Sequence, residues 1–484
     1  MIEFNPKFLS KEELRAISAG INEEELLLFD KHCINVYYEQ KILIEAKEPG
    51  SPWVVVKDFK TGEQSEILDC TSQNWTLALG FANPDVNFAV AEQMKRLTHI
   101  KSDAVSPSRA KFINKLSDLS PGRLKGGRVH INNEGGSLAI EAAVKLALIA
   151  SRNGDHFLTF RGGYHGNTLA MLTASQPFHP MVRFRTFGID FFTRIPQPYC
   201  YRCLWKYENG LYGKKDPQCN MECFDLVKEY LTGLTTRKLA GVILEPCQAA
   251  GGHIPFQPEF LDKLRRICEE EKIFIIYDES QTAVWRTGKY FTLTEKYEKE
   301  NGLDVSPDMM CFTKALGGGF PLGAMVASTK IRNQFTAAED HTTFCNTPIG
   351  CTAGLASFMV IEKAKIGENC EDRGKQITKR LRELQEKYEV IGDIRGPGLF
   401  IGIELVKDQK SREPYTELME SMLHEGVRQN VFFGPSMPYF TGTGKFKMRN
   451  LIKIKPPLNI TEQDADFICD KFESVLKASI NHLK

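Results

Sequence analysis

The sequence contains no long hydrophobic run and no excess of charge of either sign. No apolar stretch approaches the roughly 20 residues that cross a bilayer. Residues 1–7 have neither the basic start nor the apolar core of a signal peptide. The net charge of +1 provides no electrostatic attraction toward nucleic acid or a membrane surface. We therefore expect a protein with no nucleic-acid partner and no membrane partner.

The cysteines do not form the dense, even-numbered pattern of a secreted disulfide scaffold. There are 13 of them, scattered through 484 residues, and an odd number in a large chain argues against such a framework. A hydrophobic content of 42% and a charged content of 25% are typical of a globular enzyme. The length exceeds one typical domain, so we expect at least two lobes. Because the cysteine pattern is not that of a secreted scaffold, we expect a cytoplasmic, reduced environment.

Two short apolar runs near the middle of the chain each end in polar residues. The run at 274–277 is followed by Asp278, and the run at 309–312 is followed by Thr313 and Lys314. Such runs predict buried parallel strands, whose carboxyl ends form the ligand-binding edge of an α/β sheet. A lysine that forms a Schiff base and a carboxylate that holds a pyridine nitrogen protonated are what a pyridoxal phosphate enzyme needs. Taken singly, Asp278 could be a turn residue and Lys314 a solvated lysine.

The residues around this pair resemble the class III aminotransferases, the family of ornithine, 4-aminobutyrate and related ω-aminotransferases. The matching residues are Asp278, Glu279, Gln281, Thr282, Arg286, Thr287, Gly288 and Lys314, whereas Ala283 and Trp285 replace glycines that the family usually has. The resemblance covers nearly the whole chain. It implies fold type I, an α/β architecture with a large domain around a mostly parallel sheet and a smaller α/β domain. It also implies that Gln281 binds the phenolic oxygen of the cofactor ring.

The same resemblance, followed along the chain, predicts three parts. Residues 1–105 are expected to pack against the small domain and the active site. Residues 106–350 are expected to form the large cofactor-binding domain, with a cysteine-containing insert at about 196–223. Residues 351–484 are expected to form the small domain.

Two glycine-containing segments predict the cofactor pocket. A strand at 129–132 leads through Gly136 and Ser137 into a helical pattern, and free amides at a helix start form an anion site. The alternative is that Ser137 merely caps the helix. The second segment, at 164–168, resembles the family's Tyr-His-Gly-Arg-Thr. It implies that Tyr164 lies on the pyridine ring and that His165 shapes the floor, while Asn167 replaces the usual arginine.

Further roles follow only from the resemblance. Thr343 is implied to reach the cofactor phosphate of a neighbouring subunit, which predicts a homodimer with active sites at the interface. Glu245 is implied to lie beside small amine or keto substrates, and Trp75 to form a substrate wall or simply part of the core. Lys453 stands where many ω-aminotransferases have an arginine. A lysine cannot make a forked contact with a carboxylate, so glutamate is less expected as the amino donor.

Four cysteines in the insert form two closely spaced pairs. Cys200 and Cys203 are followed, after fifteen intervening residues, by Cys219 and Cys223. Four thiolates at such spacing suit zinc or an iron–sulfur cluster. The alternative is four ordinary thiols.

The predicted reaction is the transfer of an amino group from an amine or amino acid to an aldehyde or keto acceptor, with Lys314 and Asp278 as catalytic residues. Epimerisation, decarboxylation and phospho-lyase elimination use the same scaffold and remain open, because a fold does not determine the reaction. A more distant alternative is a catalytically inactive metal or redox sensor built around the cysteines.

Overall fold

A computed structural model describes residues 8–18, 24–25, 31–32, 42–58, 63–101, 103–151, 153–176, 191–207, 216, 218–233, 237–331, 335–336, 339–440 and 445–483. Parts of the expected N-terminal segment lie outside these ranges, as do residues 208–215 and 217 of the cysteine insert. No helix within the described ranges is both long enough and apolar enough to span a bilayer.

The strands are β1 (Ile42–Ala46), β2 (Trp53–Asp58), β3 (Gln64–Asp69), β4 (Arg128–Asn132), β5 (His156–Phe160), β6 (Phe192–Ile195), β7 (Leu239–Leu244), β8 (Cys247–Gln248), β9 (Ile254–Pro255), β10 (Phe274–Asp278), β11 (Met309–Phe312), β12 (Gly323–Ala327), β13 (Ile391–Arg395), β14 (Ile401–Leu405), β15 (Val431–Phe432), β16 (Gly434–Pro435), β17 (Tyr439–Phe440), β18 (Phe446–Lys447) and β19 (Leu451–Ile454).

The helices are α1 (Lys11–Ser18), α2 (Pro84–Met94), α3 (Pro107–Leu119), α4 (Gly136–Ala150), α5 (Leu169–Ala174), α6 (Glu222–Thr232), α7 (Pro258–Glu270), α8 (Leu293–Asn301), α9 (Pro348–Lys363), α10 (Ile366–Lys387), α11 (Thr416–Arg428) and α12 (Glu462–Leu483). Short 3-10 turns occur at Gly122–Leu124, Cys200–Arg202 and Lys314–Gly317.

The largest sheet has seven strands in the order β4-β12-β11-β10-β7-β5-β6. Its pairs are parallel from β11 through β10, β7 and β5 to β6, and β12 runs antiparallel to both β11 and β4. This α/β architecture confirms the predicted fold type I class with a mostly parallel central sheet. The carboxyl ends of β7, β10 and β11 therefore meet at one edge, as the sequence predicted.

Both faces of this sheet are buried, which explains why its strands are continuously apolar. Ile276 and Met309 belong to one hydrophobic core together with Ile140 of α4. The alternating residues Tyr277 and Met310 belong to the other core, which includes helices α7 and α9. Successive side chains of a strand point to opposite faces, so helices must cover both sides.

Two smaller four-stranded sheets lie outside the central sheet. One has the order β1-β2-β3-β15 and the other β13-β14-β19-β16. The strand β15 pairs in parallel with β3, where Val431 lies opposite Leu68. This pairing joins the N-terminal strand β3 to the C-terminal strand β15. The residues that follow β3 also lie close to those that follow β19, since the Lys455 amide donates to the Cys70 carbonyl.

Candidate active site

Asp278 and Lys314 stand at the ends of two adjacent parallel strands. Asp278 is the last residue of β10 and lies opposite Cys311 of β11. Lys314 begins the 3-10 turn after β11 and has a backbone φ of +55°, in the left-handed region that disfavours a lysine. Such strain persists only where the surrounding structure imposes it, and it occurs often at active sites.

The Asp278 carboxylate is buried and held by two donors. It accepts a hydrogen bond of 3.0 Å from the Ser280 backbone amide and one of 3.1 Å from His165 Nδ1. Burial by itself would raise the pKa of Asp278, but the His165 contact, the Ser280 amide and the charge of Lys314 bring that pKa below its ordinary value. The carboxylate is therefore ionised at neutral pH, the state that can hold a protonated ring nitrogen.

Lys314 is partly buried and lies in the electrostatic field of two carboxylates. Burial lowers the pKa of its ammonium, and the charges of Asp278 and Glu245 oppose this shift. A lysine with a lowered pKa is more readily neutral, as an attacking amine must be.

Glu245 follows β7 and fixes the segment that carries Tyr164. Its carboxylate accepts hydrogen bonds from the Tyr164 amide at 3.0 Å and from the Ala249 amide at 2.8 Å. Burial, followed by the charge of Asp278, raises the pKa of Glu245 to about 7. The sequence predicted Glu245 only as a neighbour of the substrate, whereas the structure shows its carboxylate holding the backbone at Tyr164.

The two glycine-containing segments meet as a cradle at the start of α4. Ser137 Oγ accepts a hydrogen bond of 3.0 Å from the Asn167 amide. A Cβ on Gly166, whose φ is +135°, would lie 2.4 Å from that oxygen, and a Cβ on Gly136 would lie 2.7 Å from Thr313 Cγ2. The alternative that Ser137 caps the helix is wrong, because the cap position is Gly135 and no side chain caps it. The first amides of this 15-residue helix remain suited to a phosphate.

Trp75 lies against two buried lysines, Lys453 and Lys455. The segment Ser72–Trp75 forms a left-handed turn in which every φ is positive. Lys453 Nζ lies 5.2 Å and Lys455 Nζ 3.7 Å from the centre of the Trp75 ring. Lys453 Nζ has no hydrogen-bond partner among the described residues, and burial lowers the pKa of this lysine to about 7. Lys455 Nζ donates a 2.6 Å hydrogen bond to Gln281 Oε1.

Thr343 is exposed on the single chain. The turn that follows it is anchored at the cradle's own strand end, because the Asn133 side chain donates to the Phe344 carbonyl at 2.9 Å and to the Thr347 carbonyl at 3.2 Å. The role of Thr343 therefore stays a prediction.

The tryptophan at position 285 has a structural explanation, whereas nothing in the structure explains Ala283. Val284 and Trp285 have φ values of +64° and +59°, a conformation that glycine adopts without strain. The Trp285 ring is buried against Phe291, and a Cβ on Gly367 would lie 2.6 Å from Trp285 Cδ1. The bulky side chain is accommodated because residue 367 has none.

All four cysteines of the insert line one cavity of about 290 Å³, apart from the Lys314 region. Cys223 lies in the first turn of α6 rather than in a loop, since the acidic residues Glu222 and Asp225 favour a helix start there. Burial and then the neighbouring cysteines raise the pKa of Cys223 to about 12. The described residues contain no group of three or more His, Cys, Asp or Glu side chains arranged to hold a metal ion. The structure thus brings the four cysteines to one cavity without a metal-binding geometry.

The first cysteine pair is fixed to the C-terminal part of the chain. The Tyr199 hydroxyl donates to Glu404, and Arg202 Nε donates to the same carboxylate at 2.5 Å. Arg395 Nη1 contacts Asp393 at 2.7 Å and Glu404 at 2.8 Å, and all three side chains are almost completely buried. The insert is thus bound to strand β14 through Glu404.

Comparison with known proteins shows which family the chain belongs to. The family model for class III aminotransferases matches residues 53–476. The chain belongs to the class III aminotransferases. It is 32% identical over 399 residues to alanine–glyoxylate aminotransferase 2 homolog 2 of Arabidopsis thaliana, covering 81% of this chain and 76% of that protein. It is 28% identical to the leucine/methionine racemase of Thermococcus litoralis, covering 86% of this chain and 87% of that one.

The fold agrees with this assignment. A transaminase from the marine bacterium Virgibacillus superimposes with a TM-score of 0.79 at 20% identity, covering 95% of this chain and 100% of the other. The chain is therefore an aminotransferase of fold type I. Its buried carboxylate, lysine and amide cradle fit pyridoxal phosphate, the cofactor of the family.

The sequence assigned no role to three supporting residues. These are Lys455 beside Gln281, Thr313 under the cradle and Arg286, which is buried and donates to the carbonyls of Leu399 at 3.2 Å and Pro456 at 2.5 Å. The one available signal was that Lys453 and Lys455 alternate with isoleucines in an apolar strand pattern just before two prolines. Buried lysines are rare without a specific role.

Proposed function

We propose that Lys314 carries pyridoxal phosphate and moves the proton in amino transfer between an amine or amino acid and an aldehyde or keto acceptor. The observation that supports this most directly is the placement of Lys314 and the ionised Asp278 at the ends of adjacent strands. When bound, the cofactor supplies an electron sink for the substrate carbanion.

The chain's own residues supply binding, orientation and proton transfer. Asp278, oriented by His165, stabilises the protonated ring nitrogen, and Tyr164 covers the ring. The amides at Gly136 and Ser137 bind the phosphate. The Lys314 Nζ takes the proton from the substrate carbon and returns it, as a general base and then a general acid.

The test uses two variants and a control. Lys314→Ala should abolish both turnover and the visible absorbance of bound cofactor. Asp278→Asn should keep the cofactor but lose turnover by about a hundredfold or more, the scale of one preorganised electrostatic partner. Lys330→Ala, at a lysine whose side chain is 67% exposed, serves as the control. Wild-type turnover in Lys314→Ala would assign the Schiff base to another lysine, and activity of Asp278→Asn within a few fold of wild type would remove Asp278 from the mechanism.

The substrate site is proposed to include Trp75, Glu245 and Lys453. Lys453 presents one ammonium group where a forked guanidinium would bind a carboxylate in two places. Lys453→Arg should therefore improve the use of glutamate or 2-oxoglutarate, measured as kcat/KM. A wild-type enzyme that depends tightly and exclusively on glutamate would show that another residue binds the carboxylate.

A second candidate reaction is racemisation or epimerisation, and the similarity to the Thermococcus racemase favours keeping it. A racemase exchanges the substrate α-proton with solvent deuterium without a keto acid, whereas an aminotransferase completes its cycle only when a keto or aldehyde acceptor is supplied. Product analysis in the same assay detects decarboxylation or phospho-lyase elimination, the two remaining alternatives.

The proposal includes a homodimer in the cytoplasm. The exposed Thr343 and the 53% exposed Phe344 support a dimer in which this turn meets a second subunit. The 12 described cysteines are all free, which supports a reducing compartment. Light scattering and cell fractionation test the two statements, and a monomer with full activity would contradict the first.

We also propose a structural metal, zinc or an iron–sulfur cluster, at Cys200, Cys203, Cys219 and Cys223. Their common cavity supports this, and soft thiolates select these metals over hard cations. Metal binding would require the two pairs to approach each other. Metal analysis of protein purified without air decides the matter, and less than about a tenth of an equivalent per chain would leave four ordinary thiols.

A further inference from the structure

We propose that Lys455 is a positioning residue for the cofactor ring, because it fixes the orientation of the Gln281 amide. This inference rests on the proposed function and on the role that the family resemblance implies for Gln281, which is to bind the phenolic oxygen of pyridoxal phosphate. Lys455 lies just after β19 and reaches the active site from the C-terminal part of the chain.

The lysine is held firmly at both ends. Its backbone amide donates to the Cys70 carbonyl at 2.8 Å, and its carbonyl accepts from Ser72 Oγ at 2.5 Å. Its Nζ lies 3.7 Å from the centre of the Trp75 ring and 4.4 Å from that of Phe400. The side chain is completely buried. Two aromatic faces thus confine the amine and leave it directed at Gln281.

The contact with Lys455 fixes the direction of the oxygen and of the NH2 group of the Gln281 side-chain amide. Lys455 Nζ donates to Gln281 Oε1 at 2.6 Å. An amide has an acceptor oxygen on one side and a donor NH2 on the other, and only the hydrogen-bond network distinguishes them. With the oxygen engaged by the lysine, the NH2 is directed elsewhere and can donate to an acceptor such as the phenolic oxygen.

The hydrogen bond does not depend on the charge of the lysine. Burial lowers the pKa of Lys455 well below its ordinary value, and the nearby charges of Lys453, Arg286 and Lys314 act in the same direction. A neutral amine and an ammonium both donate N–H bonds, so the amide stays oriented in either state.

The experiment measures the pH titration of the visible absorbance of bound cofactor in the holoenzyme. A donor to the phenolic oxygen stabilises its ionised form, so loss of that donor should raise the midpoint. We expect Lys455→Met to raise the midpoint by about one pH unit, the tenfold effect of one lost hydrogen bond. Lys455→Gln, which can still donate to Gln281, should keep the midpoint near the wild-type value, and this variant provides the test if the methionine variant does not fold.

A double-mutant cycle separates orientation from simple charge. In a Gln281→Ala background, Lys455→Met should change the midpoint little, whereas Lys453→Met, which removes a nearby amine that does not touch Gln281, should have the same effect in both backgrounds. An equal shift by Lys455→Met with and without Gln281 would overturn the inference, as would no shift at all. If Gln281→Ala alone leaves the midpoint unchanged, this inference fails while Lys314 keeps its assigned role. If Lys314→Ala retains the absorbance, the proposed function itself fails.

Discussion

Replacing Arg395 by methionine should destabilise the protein strongly, because it leaves two buried carboxylates without their common partner. Arg395 contacts Asp393 at 2.7 Å and Glu404 at 2.8 Å, and each of the three side chains is only 4% exposed. Its Nε also donates to the Gly252 carbonyl at 2.9 Å. Methionine fills a similar length but provides no donor.

The expected loss in the free energy of unfolding is about 3–5 kcal/mol, the range measured when one partner of a buried ion pair is removed. Glu404 keeps the Arg202 contact at 2.5 Å, so most of the loss should come from Asp393. A double variant that also carries Asp393→Asn should therefore recover part of the stability, because it removes the charge that has no partner.

Urea unfolding followed by tryptophan fluorescence measures the effect, with Arg380→Met as the matched control. Arg380 also contacts two carboxylates, Asp466 and Asp470, but its side chain is 35% exposed, so its loss should cost about 1 kcal/mol or less. An Arg395→Met protein as stable as the Arg380→Met protein would refute the reasoning and show that the buried carboxylates are protonated or hydrated.

Three further outcomes are expected. The affinity for carboxylate-bearing substrates should fall as the pH rises through about 7, because the Lys453 ammonium loses its charge there. KM measured against pH tests this, and the KM of the Lys453→Met variant should not change across the same pH range. Gly166→Ala should weaken cofactor binding about tenfold or more, since the new Cβ would strike Ser137 Oγ and the backbone would be strained; equilibrium dialysis would contradict this if affinity were unchanged. Gly367→Ala should lower the free energy of unfolding by about 1–3 kcal/mol through overpacking against Trp285, and an unchanged urea midpoint would count against that contact.

The central sheet and the placement of Asp278 and Lys314 at the ends of adjacent strands could be predicted from the sequence, because both depend on local patterns. Apolar runs that end in Asp278 or lead to Lys314 determine strand ends, and parallel strands bring such ends together. The contact of Lys455 with Gln281 could not be predicted in this way, since 174 residues separate them and nothing local indicates the pair. The space for the Trp285 side chain likewise depends on Gly367, which is distant in the sequence.

The packing of Trp285 against Gly367 has a consequence for how such chains evolve. A tryptophan at 285 occupies the space that any side chain at 367 would need, so neither position can change freely while the other is fixed. Glycine at 285 would remove the closest of the contacts that a side chain at 367 would make, whereas acquiring the tryptophan before the glycine at 367 would pass through an overpacked intermediate. We expect the small residue at 367 to precede the large one at 285 in any lineage that has both, and the two positions to vary together across an alignment.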